Sequence, residues 1–277
     1  MTQPPTLTDR TALARHRARA CALPSHDEAL FLHRMAFDDL QERLSEVNKK
    51  FTAAAVVTPY PQIFAGFPAR VVADDDLIAL EPGAHDLVVH FMALHWANDT
   101  VGQLVQCRRS LQPDGLCLVV LPGGRSLQEL RASLAEAEAA VTGGLSPRVV
   151  PMGEIRDLGG LMQRAGFALP VADSLVQTVE YRSFPALLAD LRAAGETNAL
   201  AARLRRFTRR AVMTEAARIY ADSYGTSEGR LTATAELVFL TGWTPHESQQ
   251  QPLRPGSARS RLADALGVPE KPLSKDG

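Results

Sequence analysis

Behind a Ser25–Glu28 capping box, the apolar positions Phe37, Leu40, Leu44, Val47 and Phe51 recur at alternating spacings of three and four, which predicts a helix over about 26–50. The period then changes. Ala53–Val57 is a short apolar run closed by Thr58 and Pro59, the form of a strand buried on both faces. Ala69–Ala73, Asp86–His90 and Leu116–Leu121 repeat that form, each bounded by Asp, Gly or Pro. Helical patterns alternate with these runs. Val101, Leu104, Val105 and Leu111 follow Asp99 as an N-cap and stop at Pro113-Asp114-Gly115. A second capping box, Ser126–Glu129, precedes Leu127, Leu130, Leu134 and Val141, with Gly143 and Gly144 as the stop. Strands alternating with helices predict an α/β fold with a mostly parallel sheet.

The second half changes character. Phe184, Leu187, Leu188 and Leu191, and again residues 208–222, carry helical patterns that read as a cap inserted at about 183–225. Leu231–Thr241 alternates Thr232, Thr234 and Glu236 with Ala233, Ala235 and Leu237, which predicts an antiparallel strand at a sheet end. Gln249–Gly256 is rich in Gln and Pro and is expected to drape over the surface, with a short helix at Arg259–Leu266. The expected division is a basic segment at 1–25, a domain at 26–248 and a tail at 249–277.

Charge and cysteine usage remove several function classes. The 277 residues carry 30 Lys plus Arg against 31 Asp plus Glu, a net charge of -1 that argues against nucleic acid as the partner. Cys21, Cys107 and Cys117 form no CxxC pair and leave an odd count, so neither a disulfide framework nor a cysteine zinc site is expected. His85, His90 and His95 lie five apart, without metal-ligand spacing, so no metal is expected. The apolar run Leu116–Leu121 is far too short to cross a bilayer. Near the start, Arg10, Arg15, His16, Arg17 and Arg19 face a single acid, Asp9. That segment reads either as a basic helix with one solvated face, in a cytoplasmic protein, or as a targeting sequence for the mitochondrial matrix.

In an open α/β sheet, ligands sit beyond the carboxyl ends of the strands, which directs attention to Thr58-Pro59-Tyr60-Pro61, Asp74-Asp75-Asp76 and Phe91 through Asp99. Within the last stretch, His95 is a candidate general base, Trp96 a surface for stacking on a planar ligand, and Asp99 a helix cap. Glu196 and Asn198, after Gly195, reach the cleft if the cap folds over it. Arg148, Arg156 and Asp157 rank behind them.

The chain resembles a known family through Leu94-His95-Trp96-Ala97-Asn98-Asp99, Arg109 to Gly115, Gly143 to Arg148, Gln163 to Phe167, Gly195 to Leu200 and Thr241-Gly242-Trp243. These stretches resemble methyltransferase-domain proteins related to the mitochondrial complex I assembly factor and, more distantly, the malonyl-acyl-carrier-protein methyltransferases of biotin synthesis. The resemblance implies a seven-stranded class I methyltransferase fold, Rossmann-like, with S-adenosylmethionine bound across the first four strand ends. Carried onto this chain, it makes Thr58, Tyr60, Asp74, Asp75, His90, Phe91 and Trp96 the cofactor-binding candidates and His95 and Asn98 the catalytic ones.

Three departures from that pattern stand out. Two prolines occupy the turn after the first strand, where glycine lets backbone amides approach the cofactor. Residues 58–85 supply 28 positions where the fold's strands and crossovers need roughly 45, so the second strand and its helix are expected to be missing. His90 and Phe91 put bulk at the end of the fourth strand of the pattern, where small or amide side chains belong. Deleting an outer strand also predicts an exposed contact patch around Tyr60, Phe64 and Phe67.

Three readings therefore stay open. The first is a methyltransferase-family protein that modifies or escorts a partner protein in complex I maturation, where the resemblance implies hydroxylation of a protein arginine. The second is a scaffold that no longer binds S-adenosylmethionine, a pseudoenzyme. The third is an active methyltransferase with a rebuilt cofactor loop.

Overall fold

Leu30 divides the long helix expected at 26–50. In the computed structural model, which describes residues 6–249, His26–Ala29 forms a single turn, α2, and Phe31–Glu46 forms α3, with α1 before them at Arg10–Cys21. Ser25 makes no capping bond through its side chain, and fully buried Leu30 serves as the joint. Beyond the joint, Ala36, Phe37, Leu40 and Leu44 lie against one face of the sheet, as their spacing requires.

The sheet has six strands in the order β2-β1-β3-β4-β6-β5. They are β1 Ala54–Val57, β2 Ala69–Val72, β3 His85–Phe91, β4 Leu111–Pro122, β5 Ala168–Tyr181 and β6 Leu231–Trp243. The first four run parallel, with Val56 opposite both Val71 and Val89, and Val89 opposite Leu118. β6 is antiparallel to β4 and to β5. No α-helix lies between β1 and β2 or between β2 and β3; residues 58–68 hold only a 3-10 turn at Pro61–Phe64. Among the described residues the sheet is thus one strand short of the seven-stranded pattern, and mostly parallel with antiparallel C-terminal strands.

Both faces of the central strands are covered, which explains why those strands read as continuous apolar runs. Val56, Val89, Phe91, Leu118 and Phe239 face α3 and the 3-10 turn. Ala55, Val57, Val88, Val119 and Leu240 face Leu104 of α4 (Thr100–Ser110) and Leu158 and Met162 of α6 (Ile155–Arg164). A separate apolar cluster joins Leu130 and Leu134 of α5 (Gln128–Thr142), Phe184 and Leu187 of α7 (Phe184–Ala193) and Val212, Ala216 and Tyr220 of α8 (Arg210–Tyr224).

Several expectations need correction. Tyr60 and Phe64 are only 2% and 3% exposed, and Phe64 and Phe67 meet Phe37 with ring centroids 4.8 and 6.0 Å away, so α3 covers the predicted contact patch. Leu111 belongs to β4, and Pro113-Asp114-Gly115 forms a bulge between the pairs His85–Leu111 and Leu87–Leu116. The Ser126–Glu129 box caps nothing: the residue at the start of α5 is Leu127, with a left-handed φ of 54°, and both polar side chains turn to β6. The helix expected at Arg259–Leu266 and the draped tail beyond Gln249 lie outside the described residues. His246–Gln249 begins a unit separate from the one that ends at Pro245, and forms a turn with Gln249 N–H donating to the His246 carbonyl.

Candidate functional site

The carboxyl ends of β1, β2 and β3 are filled by the chain itself. After β1, the Thr58 hydroxyl accepts from Tyr60 N–H at 3.2 Å, and the Tyr60 side chain enters the interior. His33 of α3 meets the Tyr60 ring edge-on with centroids 4.3 Å apart. After β2, the Asp74 carboxylate is held by Arg17 Nη1 at 2.9 Å from both oxygens and by Arg10 at 3.3 Å. Both arginines come from α1, where a spacing of seven puts them on one face. Asp75 points its side chain into solvent, and its carbonyl accepts from Gln103 Nε2 at 2.7 Å. Near the end of β3, His90 is buried with Nε2 3.2 Å from Gln103 Oε1. That Gln103 oxygen can only accept, so His90 donates through Nε2. Burial holds His90 down to about 4, so it is neutral at pH 7. Phe91 is fully buried on Phe64, ring centroids 5.0 Å apart.

S-adenosylmethionine does not fit this arrangement. The amides that would cradle it are interrupted by Pro59 and Pro61, the Asp74 carboxylate is already paired with arginine, and Tyr60 and Phe91 occupy interior volume. None of Thr58, Tyr60, Asp74, Asp75, His90 or Phe91 lines the cavity of about 310 Å³ that lies alongside.

The open space lies alongside. A cavity of about 310 Å³ sits between Met92 and Pro122, at the ends of β3 and β4, and the helices α5 and α7. Its lining is mainly apolar with a few convergent polar groups, among them His33, His95, Trp96, Ser126, Glu196 and Glu236, the composition expected of a ligand pocket. Met92 adopts a left-handed φ of 50° there, a conformation that non-glycine residues keep only when their surroundings enforce it.

Glu196 is the centre of the polar cluster. α7 ends at Ala193, Gly195 takes a φ of 85°, and Glu196 N–H returns to the Leu191 carbonyl at 2.9 Å, a helix stop that turns the next side chain inward. The Glu196 carboxylate accepts from Tyr60 OH at 2.7 Å and from Trp96 Nε1 at 2.8 Å, and His95 Nε2 lies 3.2 Å away. His95 and Trp96 arrive together on the 3-10 turn Leu94–Trp96. Burial alone would raise Glu196, but His95, Arg17 and the Tyr60 hydroxyl outweigh it and hold the carboxyl well below the usual range. His33 is 3% exposed with neither ring nitrogen partnered, and burial lowers it to about 4.

The remaining sequence candidates divide. Asn98 is engaged elsewhere: its carbonyl oxygen accepts from Thr8 N–H at 2.8 Å and its amide donates to the Thr8 carbonyl at 3.2 Å, fastening the N-terminal segment. It does not line the cavity. Asp99 caps α4 through Gly102 N–H at 2.7 Å. Asn198 and Arg148 line the cavity, and Arg148 binds Glu138 at 2.7 Å and Thr208 at 2.9 Å. Bonds from Arg148 and Ser146 overcome the effect of burial and bring Glu138 down to about 2. Arg156 and Asp157 are exposed on α6.

Sequence reasoning missed His33, Glu236 and Asp190 as cavity residues. Glu236 counted as a polar position on an alternating strand; it is 7% exposed and accepts from Arg125 N–H at 2.9 Å. Asp190 accepts from Tyr181 OH at 2.7 Å, and burial raises it. Among the described residues, no group of three or more His, Cys, Asp or Glu is placed to hold a metal ion, and no helix is long and apolar enough to cross a membrane.

No protein-family model matches the chain. The mitochondrial arginine-hydroxylase NDUFAF5 of Danio rerio is 36% identical over 198 residues, covering 71% of this chain and 61% of that protein. Its Homo sapiens counterpart is 37% identical over 188 residues, 68% of this chain and 54% of that one. The malonyl-[acyl-carrier protein] O-methyltransferase of Laribacter hongkongensis is 32% identical over 195 residues, 70% of this chain and 63% of that protein. The chain is a homologue of these methyltransferase-family proteins. It spans less than two thirds of the length of each. Among solved structures, a putative methyltransferase from Bacillus halodurans C-125 superposes with a TM-score of 0.49 and 12% identity over 76% of this chain and 99% of that one. This chain thus combines filled carboxyl ends of β1, β2 and β3 with an open cavity beside them that carries three carboxylates.

Proposed function

We propose that this chain recognises a basic side chain of a partner protein in the cavity around Glu196, and that it does so without S-adenosylmethionine. The observation that carries the reading is the contrast between the two neighbouring spaces. Tyr60 and the Arg17–Asp74 pair close the cofactor cleft, whereas the cavity is open and carries the carboxylates of Glu196, Glu236 and Asp190. Two cations, Arg148 and Arg192, also line that wall, and Arg148 is already matched by Glu138. A planar guanidinium suits such carboxylates, because it donates in a fixed fork geometry and stays charged when partly buried. Relatives named arginine-hydroxylases support arginine as the residue recognised, and the resemblance to the complex I assembly factor supports respiratory complex I maturation as the setting, with modification or escort of the partner as the role. Their mitochondrial designation supports the matrix as the compartment, with the cytoplasm the counterpart for a bacterial chain.

Calorimetric titration tests both halves of the proposal. S-adenosylmethionine and S-adenosylhomocysteine are expected to give no saturable heat up to millimolar concentration. N-acetyl-arginine amide is expected to bind more tightly than its norleucine counterpart, and to lose that advantage in Glu236→Gln. Saturable cofactor binding would instead favour an active methyltransferase with a rebuilt loop, the reading supported by the malonyl-[acyl-carrier protein] relatives.

A further inference from the structure

The segment before α8 reads Arg203-Leu204-Arg205-Arg206-Phe207-Thr208-Arg209-Arg210, and no acid occurs from Thr197 to Thr214. Arg205, Arg206, Arg209 and Arg210 are exposed, and Phe207 is fully so, at 100%. In a chain of net charge -1 this is a local concentration of positive charge. One carboxylate answers part of it: Asp9 pairs with Arg203 at 2.9 Å and with Arg205 at 3.7 Å, while also capping α1 through Ala12 N–H.

These ion pairs account for Arg203 and Arg205 but not for Arg206, Arg209 and Arg210. Arg209 is the N-cap of α8 without a capping bond from its side chain, Arg210 is the first helical residue, and the first turn holds no acid. Cations at a helix N-terminus oppose the helix dipole, and a solvated Phe gains nothing from burial. An anionic surface with an apolar spot would relieve both. Position narrows the choice further. Thr208, inside the segment, lines the cavity and accepts from Arg148, so the arginines and Phe207 stand at the cavity rim. Leu145, 72% exposed, lies three residues before Arg148 on the adjoining loop.

We propose that the loop at 203–210 is a docking surface for an acidic segment of a partner protein, with Phe207 as its apolar anchor. A polypeptide fits better than a lipid surface, because the same rim borders a side-chain-sized cavity and the chain as a whole carries no net positive charge to hold it on a membrane. The inference rests on the reading of that cavity only for the partner being a protein; the surface itself is tested independently.

The test is fluorescence anisotropy of a short fluorescein-labelled peptide of glutamates flanking two leucines, with a lysine counterpart as control. Saturable, salt-sensitive binding is expected for the acidic peptide alone, weakened about tenfold or more in Arg206→Glu/Arg209→Glu/Arg210→Glu and about threefold in Phe207→Ala. Glu236→Gln, which alters the cavity, is expected to leave this binding unchanged, so failure of the loop and failure of the cavity are read separately. Circular dichroism of the variants controls for folding. No peptide binding, or binding indifferent to the arginine substitutions, overturns the proposal. Sedimentation with phosphatidylglycerol-containing vesicles but no affinity for the peptide also overturns it, in favour of a membrane surface.

Discussion

Glu196 gathers donors that lie 100 and 136 positions away in the chain, Trp96 and Tyr60, and its removal strands one of them. In Glu196→Ala the Tyr60 hydroxyl retains the Ala194 carbonyl at 3.3 Å, but Trp96 Nε1 keeps no recorded acceptor in a residue 2% exposed. A loss of about 1–3 kcal/mol is expected, the cost of a buried unpaired donor, with less in Glu196→Gln; urea denaturation measures it. Titration adds a second expectation. His33 and His90 are held at about 4 against 6.5 when unfolded, so between those values the unfolded chain binds more protons. Stability is therefore full above about pH 6.5 and falls as pH drops toward 4, by up to about 3 kcal/mol for each histidine. Glu196, also depressed, adds a further loss below its ordinary value of 4.5. His33→Phe should remove one histidine's share of the slope while preserving stability at pH 7, because neither His33 nitrogen has a partner to lose; denaturation midpoints across pH 4–8 would show an unchanged slope if the shift belongs elsewhere. Residue types made Tyr60, His95 and Trp96 visible in the sequence. Their convergence on one carboxylate was not, since it depends on the turn at Gly195 and on contacts distant along the chain.

At the scale of elements, the strands buried on both faces were legible because nothing but an apolar run survives there. β5 was not. It is an edge strand with alternating exposure, and Pro170, Asp173 and Ser174 resemble loop chemistry; the edge tolerates the proline beside a bulge between Ala168 and Val171. Capping boxes misled for a related reason, since a Ser or Glu near a helix start also bonds to a neighbouring strand. Ser126 exchanges bonds with the Glu236 backbone, and Glu129 accepts from Thr234 N–H at 3.1 Å. Glu129→Ala should then cost about 1–3 kcal/mol by leaving that β6 amide unpaired, not the few tenths of a lost exposed charge. The basic N-terminal stretch was ambiguous between a solvated helix and a leader, because the charge that selects one face of α1 lies at Asp74, beyond β2. Asp74→Ala should destabilise by about 3–5 kcal/mol, as an uncompensated cation remains at Arg17, 14% exposed; Asp74→Leu with Arg17→Met should recover much of it in thermal unfolding.

Across the whole molecule, the filled cleft and the open cavity share a wall. Tyr60 closes the first and donates to Glu196, which lines the second; Arg17 pairs with Asp74 and also acts electrostatically on Glu196. A ligand cation in the cavity would compete with Arg17 for the same carboxylate, so closing the cleft and filling the cavity are thermodynamically linked. The neutral pair Arg17→Met/Asp74→Asn removes Arg17's field without leaving Asp74 charged and bare. If Glu196 is the cation's partner, this double variant should bind N-acetyl-arginine amide more tightly, by on the order of 1 kcal/mol or about fivefold, with the effect shrinking at high salt. The neutral norleucine analogue should show no change, which separates electrostatics from a reshaped cavity. Restoring the charge at position 17 with Lys in the Asp74→Asn background should lower the affinity again, at a cost in stability because that cation is left uncompensated. Equal affinities throughout would mean that the bound cation is held by Glu236 or Asp190, and that the cleft and the cavity act independently.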